Sequence, residues 1–276
     1  MTTFFEATHS KQVEDGTRFA FGENWQAFLT VLDEERIQAA ESALCDMLKV
    51  THLRGLRFLD VGSGSGLSSL AARRLGATVH SFDFDPASVA CTKELKRRYY
   101  PNDATWLIQE GSALDEQYLK SLGTFDVVYS WGVLHHTGAM WTALANVIPL
   151  VNPNGRLFVA LYNDQGWRSK LWHGVKQLYC SGPLSKALMM SWFWPCMGLH
   201  TMLLCLKRRE NVFATYHRKR GMSVTHDWHD WLGGFPFEVA SVKAVEAFYE
   251  PHGLTLMNLK TTTRLGNNQF VFRKER

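Results

Sequence analysis

Apolar and polar positions along the chain fall into blocks whose period switches repeatedly between strand and helix. Phe58-Leu59-Asp60-Val61 is a short apolar run closed by Gly62-Ser63-Gly64-Ser65-Gly66, which predicts a buried strand and a glycine-rich turn. Leu67, Leu70, Ala71 and Leu75 then recur at the spacing of one helix face, and Gly76 is a stop signal. Residues 78–82 predict a second strand, and Asp85-Pro86 an N-cap followed by proline at the first helical position. The next helix is expected to bury Val89, Ala90 and Leu95 and to turn Lys93, Glu94, Lys96, Arg97 and Arg98 to water. Residues 104–108, 125–130 and 156–162 predict strands three to five, the last following the turn Asn152-Pro153-Asn154-Gly155. Toward the C-terminus, 241–249 has Val242, Val245, Phe248 and Tyr249 along one helix face, and 254–259 and 269–272 are strands.

Alternating strands and helices imply an α/β fold with a parallel sheet covered on both faces. Ligands of such sheets sit at the strand C-terminal ends, where glycines let them approach the backbone. Asp83 ends the second strand, where a nucleoside ribose would present its hydroxyls. Two cofactors compete for that site. A dinucleotide turn wants Gly-x-Gly-x-x-Gly to receive a pyrophosphate at a helix N-terminus. Here the spacing is Gly62-x-Gly64-x-Gly66, one residue tighter, with Asp60 just before it. That carboxylate would repel a pyrophosphate and attract the ammonium and sulfonium groups of S-adenosyl-L-methionine.

The strand ending in Asp60, the glycine triplet and Phe82-Asp83-Phe84-Asp85-Pro86 resemble the class I S-adenosylmethionine-dependent methyltransferases. The resemblance covers roughly 35–163 and 241–276, and within the family it looks most similar to the bacterial ubiquinone and menaquinone biosynthesis O-methyltransferase group. It implies a doubly wound, Rossmann-like seven-stranded sheet with one antiparallel strand, and an α-helical insertion before the last helix and two strands. The chain is then expected to be one methyltransferase domain, 1–276. Its parts are an N-terminal helical segment (1–55), a core (56–163 and 238–276) and a variable substrate or lid insertion (164–237). Cofactor contacts are implied for Asp60, Gly62, Ser63, Gly64, Gly66, Asp83, Phe84, Ser112, Ala113 and Trp131. Many family members carry an acidic residue near position 112 for the adenine amino group; Ser112 departs from that pattern. Trp131-Gly132-Val133-Leu134-His135-His136 looks like the family's fourth-strand motif, which commonly ends in His. A hydroxyl acceptor must lose a proton, a task that suits a histidine. His136 is the favoured base, His135 the second candidate, and both orienting the loop is the bland alternative.

Composition narrows the setting. The 276 residues, 46% of them hydrophobic, can bury one substantial core. Cys45, Cys91, Cys180, Cys196 and Cys205 are scattered without Cys-x-x-Cys spacing, so they read as reduced thiols and a cytoplasmic setting is expected. Residues 1–11 lack the apolar run of a signal peptide. A net charge of +4 is too modest to argue for nucleic acid by itself, the 93–98 charge cluster lacks the interleaved aromatics of a nucleic-acid face, and no nucleic-acid partner is expected.

Two stretches stand apart. Residues 188–206 carry no Asp, Glu, Lys or Arg, and Lys207-Arg208-Arg209 follow at once. A single span would strand the final strands across the bilayer. Three readings stay open: a lid over the pocket, a peripheral membrane contact through 188–209 at the inner membrane face with Trp192, Phe193 and Trp194 at headgroup depth, or a homodimer contact. In the second stretch, His226 and His229 are three apart, with Asp227 and Asp230 beside them. A metal site is conceivable there, but with no second pair of ligands the expectation is pocket lining or loop ordering and no metal. Phe21-Gly22-Glu23-Asn24-Trp25 is an aromatic, polar segment able to close over the cofactor. The partner expected is a small-molecule acceptor. An apolar or membrane-held hydroxyl is the main reading, a soluble metabolite or glycan the second, and a non-catalytic cofactor-binding protein the third.

Overall fold

The computed structural model describes residues 4–208, 232–263 and 265–275. Three helices come first: α1 (Phe4–Glu14), α2 (Gly22–Val31) and α3 (Glu34–Leu48). Then β1 (Arg57–Val61), α4 (Leu67–Arg74), β2 (Thr78–Asp83), α5 (Pro86–Tyr99), β3 (Trp106–Glu110), α6 (Glu116–Ser121), β4 (Phe125–Trp131), α7 (Met140–Val147) and β5 (Val151–Tyr162) alternate. Two helices follow β5, α8 (Trp167–Cys180) and α9 (Pro183–Arg208). After them, α10 (Val242–Tyr249), β6 (Leu254–Lys260) and β7 (Asn267–Lys274) complete the chain.

The strands form one sheet in the order β3-β2-β1-β4-β5-β7-β6. β1 through β5 pair in parallel, and β7 runs antiparallel to both β5 and β6. This is the seven-stranded sheet with one antiparallel member that the motifs implied. β1 is apolar on successive positions because it is covered on both faces. Leu59, Val128, Leu157, Val159, Phe270 and Phe272 pack on one side, against α7 and α10. Phe58, Val127, Phe158 and Val271 pack on the other, against α3, α4 and α5. The order reverses between β1 and β4, so the crevice of this sheet opens beside the β1 terminus.

Local chemistry sets the element ends. Asp33, Asp85, Asp115 and Ser241 each cap a helix by accepting a backbone N–H, a contact worth about 1 kcal/mol. Three expectations shift. β3 begins at Trp106 rather than at 104, because Asp103 accepts both the Thr105 amide and its hydroxyl and holds that segment in a turn. β5 begins at Val151, so the Asn-Pro-Asn-Gly sequence lies within the strand as an irregularity. Asn154 there takes a left-handed φ of 63°, and the β4–β5 register slips between Phe125 and Val127. On α5, Ala90 faces out and Cys91 and Thr92 are buried in its place.

Candidate active site

A cavity of about 1550 Å³ lies along the C-terminal ends of β1, β2, β3, β4 and β5. That exceeds the roughly 300–1,000 Å³ of a typical small-molecule pocket, so it has room for a nucleoside cofactor and a second ligand. Its walls include Asp60 through Ser65, Phe82 through Asp85, Gly111 through Leu114, and Trp131 through Val133. α1, α2 and the segment between them close one side with His9, Arg18, Phe19, Phe21 and Trp25.

The glycine turn is held by backbone bonds from Gly62 and Ser63 to the Phe82 carbonyl. Gly62 has φ of 78°, and a Cβ there would sit 2.3 Å from a Val133 methyl. Gly64 has φ of 54°, and its Cβ would lie 3.1 Å from the Trp25 indole nitrogen. Gly62 therefore excludes a side chain on steric and backbone grounds, and Gly64 disfavours one through its left-handed φ and its close approach to Trp25.

Three carboxylates gather here. Asp83 accepts the Gly64 amide on one oxygen, at 2.8 Å, and the Asp85 amide on the other, at 2.9 Å. A carboxylate offers about four acceptor sites, so each oxygen keeps one for a ribose hydroxyl. Burial pushes Asp83 up to about 6, against the lowering effect of those amides. Asp60 is almost fully buried, and burial pushes it up to about 7. It accepts a 2.5 Å bond from the Ser69 hydroxyl, which meets Ser81 at 2.7 Å; Ser81 in turn accepts from the Trp106 indole at 2.9 Å. This buried relay fixes Asp60 from behind and leaves it facing the cavity. Asp85 accepts the Gly22 amide at 2.7 Å and lies 3.7 Å from His9.

β4 ends in a 3₁₀ turn that carries both candidate bases. His136 Nδ1 lies 2.6 Å from the Pro236 carbonyl. A carbonyl only accepts, so Nδ1 carries the proton and Nε2 presents its lone pair. Burial pushes His136 down to about 3, which keeps the ring neutral far below the usual histidine range. Its ring lies 4.9 Å from Phe21 and 5.4 Å from Tyr162, and Arg18 donates to its carbonyl at 3.2 Å.

The structure brings Asp60, Gly62, Ser63, Gly64, Asp83, Phe84, Ser112, Ala113, Trp131 and His136 onto one cavity wall. Two expected residues stand elsewhere. His135 is sealed behind that wall, its ring 4.4 Å from His136 and 4.1 Å from Tyr162, and does not line the cavity. Gly66 is also off the wall: it starts α4 with φ of 82°, and its Cβ would meet the Thr92 backbone at 2.8 Å. Ser112 spends its hydroxyl accepting the Leu114 amide. Phe21 and Trp25 both line the cavity. None of the described residues of 164–237 lines it, which sets the lid reading aside for α8 and α9. His226, Asp227, His229 and Asp230 lie outside the described residues. Among the described residues, no cluster of three or more His, Cys, Asp or Glu is placed to hold a metal.

The sequence reading missed Arg18, His9, Tyr162 and Asn267. Asn267 lies on the cavity wall, and its buried Oδ1 is unpartnered. The only signal for these residues was position: Tyr162 ends β5 and Asn267 opens β7, and these two pair across the sheet.

Comparison with known proteins agrees with the geometry. Residues 59–157 match a family model described as a methyltransferase domain. A ubiquinone biosynthesis O-methyltransferase of Caulobacter sp. (strain K31) is 33% identical over 119 residues, 41% of this chain and 43% of that protein. Its namesake in Rhizobium leguminosarum bv. trifolii is 30% identical over 129 residues, 46% of this chain and 49% of that protein. The match thus spans less than half the length of these curated relatives. Magnesium protoporphyrin IX methyltransferase from Synechocystis PCC 6803, solved with bound SAH, shares the fold. Its TM-score is 0.52 at 13% identity, covering 87% of this chain and 83% of that one. The strand order, the glycine turn and this match agree: residues 59–157 are similar to a methyltransferase domain, set in a sheet that shares the fold of a solved S-adenosylmethionine-dependent methyltransferase.

Proposed function

We propose that this chain transfers a methyl group from S-adenosyl-L-methionine to a hydroxyl of a small, apolar, membrane-associated acceptor. On this reading it is one catalytic unit, with 164–237 as an insertion, working in the cytoplasm at the inner membrane face. The cofactor fits the residues present. Gly62 and Gly64 bring bare backbone to the cavity wall at left-handed φ, Asp83 keeps acceptor sites for a ribose, and Asp60 offers a desolvated carboxylate to a cation. Ser63, Phe84, Ser112, Ala113 and Trp131 complete the cofactor wall, with adenine recognition left to backbone amides at Ser112 and Ala113. When bound, the cofactor supplies an electrophilic methyl carbon on its sulfonium.

The observation that carries the reading is His136, which lines the cavity with its Nδ1 proton given to the Pro236 carbonyl and its Nε2 unprotonated. His136 takes the proton of the acceptor hydroxyl, and His135 and Tyr162 pack its ring in place. Asn267 Oδ1 is available to a donor group of the acceptor. Phe19, Phe21, Phe28, Met47 and Phe158 give the remaining cavity an apolar wall, which excludes water during transfer and favours an apolar acceptor over a glycan.

Calorimetric titration with S-adenosylmethionine and, separately, NAD tests the cofactor. Saturable binding of the first alone supports the reading, and binding of NAD alone replaces it with hydride transfer. For the base, His136→Ala is expected to slow transfer while leaving cofactor affinity within about threefold.

A further inference from the structure

We infer that α8 and α9 form a docking element that lies in the surface of an anionic lipid bilayer. Of the sixteen large hydrophobic side chains exposed on the described chain, ten fall on these two helices. On α9, Leu184, Leu188, Trp192, Leu199, Met202 and Leu206 follow one another at steps of three, four or seven residues. At 100° per residue they occupy one sector about 80° wide and run for about 33 Å along the helix. Trp192 is 72% exposed and Leu206 69%. A soluble helix turns its apolar stripe to the core; this one turns it outward, and only 6% of its most apolar window is buried. Trp167, Leu171 and Leu178 form a second outward stripe on α8.

Charge selects the occupant. Residues 167–208 hold six Lys or Arg and no Asp or Glu, against 30 and 26 in the whole chain. The formal +4 therefore resides in this hairpin, and the remainder is slightly acidic. An isologous dimer through these faces would set two hairpins of net positive charge against each other. An anionic bilayer neutralises that charge while accepting the apolar stripe, with Lys stems reaching back to the headgroups.

The element lies on the membrane and does not cross it. α9 is about 39 Å long, enough to span by length alone, yet β7, which follows it, pairs with β5, which precedes it, from Tyr162–Asn267 to Arg156–Arg273. A single crossing would separate those strands.

The base of the hairpin is tied to the catalytic rim. Cys180 donates to the Gly233 carbonyl, His173 packs on Phe235 at 5.6 Å, and the buried Lys176 sits 5.1 Å over Phe237, next to the Pro236 carbonyl that orients His136. Docking would hold the cavity rim near the lipid that carries the acceptor. That purpose rests on the proposed apolar acceptor, whereas the docking itself is measured without turnover.

The test is flotation of the full chain with vesicles of pure phosphatidylcholine or of equimolar phosphatidylcholine and phosphatidylglycerol, with S-adenosylmethionine affinity measured on the same samples. The chain is expected to float with the phosphatidylglycerol vesicles and to stay behind with pure phosphatidylcholine. Leu188→Ser with Trp192→Ser should abolish flotation, and Lys170→Gln and Lys207→Gln should each weaken partitioning about fivefold. All these variants should keep wild-type cofactor affinity. No flotation by a cofactor-binding wild type overturns the docking and leaves the methyltransferase reading standing. Flotation without cofactor binding does the reverse. Equal flotation with both vesicles overturns the anionic requirement. A dimer in sedimentation that Leu188→Ser with Trp192→Ser disperses, with no flotation, gives the face to a second copy.

Discussion

The strand-end rim and the α8–α9 hairpin invert each other's chemistry. At the rim, carboxylates and histidines are buried in a wall of backbone amides and aromatic rings. On the hairpin, leucines and tryptophans face out among cations. Each arrangement costs folding free energy as it stands, because a desolvated charge and an exposed apolar stripe are both unfavourable in water. On the two proposals above the costs share one explanation: each surface is completed by a ligand, a cationic nucleoside at the rim and a lipid surface at the hairpin.

Substitutions at the rim should give the largest effects. Asp83→Ala removes the acceptor of two loop amides as well as the ribose contact, and is expected to lower S-adenosylmethionine affinity at least about 100-fold, since hydrogen bonds to a charged group are worth roughly 1.5–3 kcal/mol each. Unchanged affinity in calorimetry would remove Asp83 from the site. His136→Ala should reduce single-turnover transfer by about 10²–10⁴-fold, the usual contribution of general acid–base catalysis. Because burial holds His136 near 3, the acid limb set by this group in the wild-type kcat/KM profile should lie well below pH 6.5. A limb at 6.5 that disappears in the variant would contradict the buried, neutral ring.

Asp60→Asn sharpens the comparison, since binding and stability should move in opposite directions. Its folded pKa, about 7, lies above the unfolded value near 4. The folded state then holds more protons in that window, so this group favours folding at low pH and opposes it as pH rises through 7. Asn cannot ionise, so at pH 8 the ligand-free variant should melt a few degrees higher than wild type while binding cofactor more weakly. Wild-type affinity should likewise fall as pH drops from 8 to 6 and Asp60 protonates. His136 has the opposite linkage: its depressed pKa means that its contribution to stability is lost as pH falls from about 6.5 toward 3. The smallest effect on folding belongs to the hairpin. Leu188→Ser with Trp192→Ser should change stability by no more than about 0.5 kcal/mol per site in denaturant melts, the range of exposed positions. A larger loss would mean that the stripe packs against protein.

Much of the rim was legible in the residues because it is built from local signals. The glycine triplet, Asp60 before it and Asp83 at the next strand end are contiguous or one βα unit apart, and each depends mainly on its own backbone. Asp85-Pro86 behaves as the cap it spells. What was misplaced depended on contacts distant in sequence. His135 and His136 are neighbours with the same side chain, and no local rule separates them. The Pro236 carbonyl, one hundred residues away, orients one, and Tyr162 packs against the other, which lies off the cavity wall. Gly66 looked like its two companions, yet it serves a helix–helix contact with Thr92. Arg18, His9 and Asn267 carry no motif and enter the site only because α1 and β7 are folded against it.

The amino-acid pattern by itself determined the succession of strands and helices and a parallel sheet, because these follow from short-range periodicity, turn chemistry and capping, while the seven-stranded topology and the cofactor end of the cavity came from the resemblance its motifs carry. Tertiary structure alone decided which histidine faces the cavity, which carboxylates lose their water, and which way the apolar run at 188–206 points. A hydrophobic sequence carries no record of whether its partner is a core, a pocket or a bilayer. The fold answers by leaving that face uncovered and its neighbours positive.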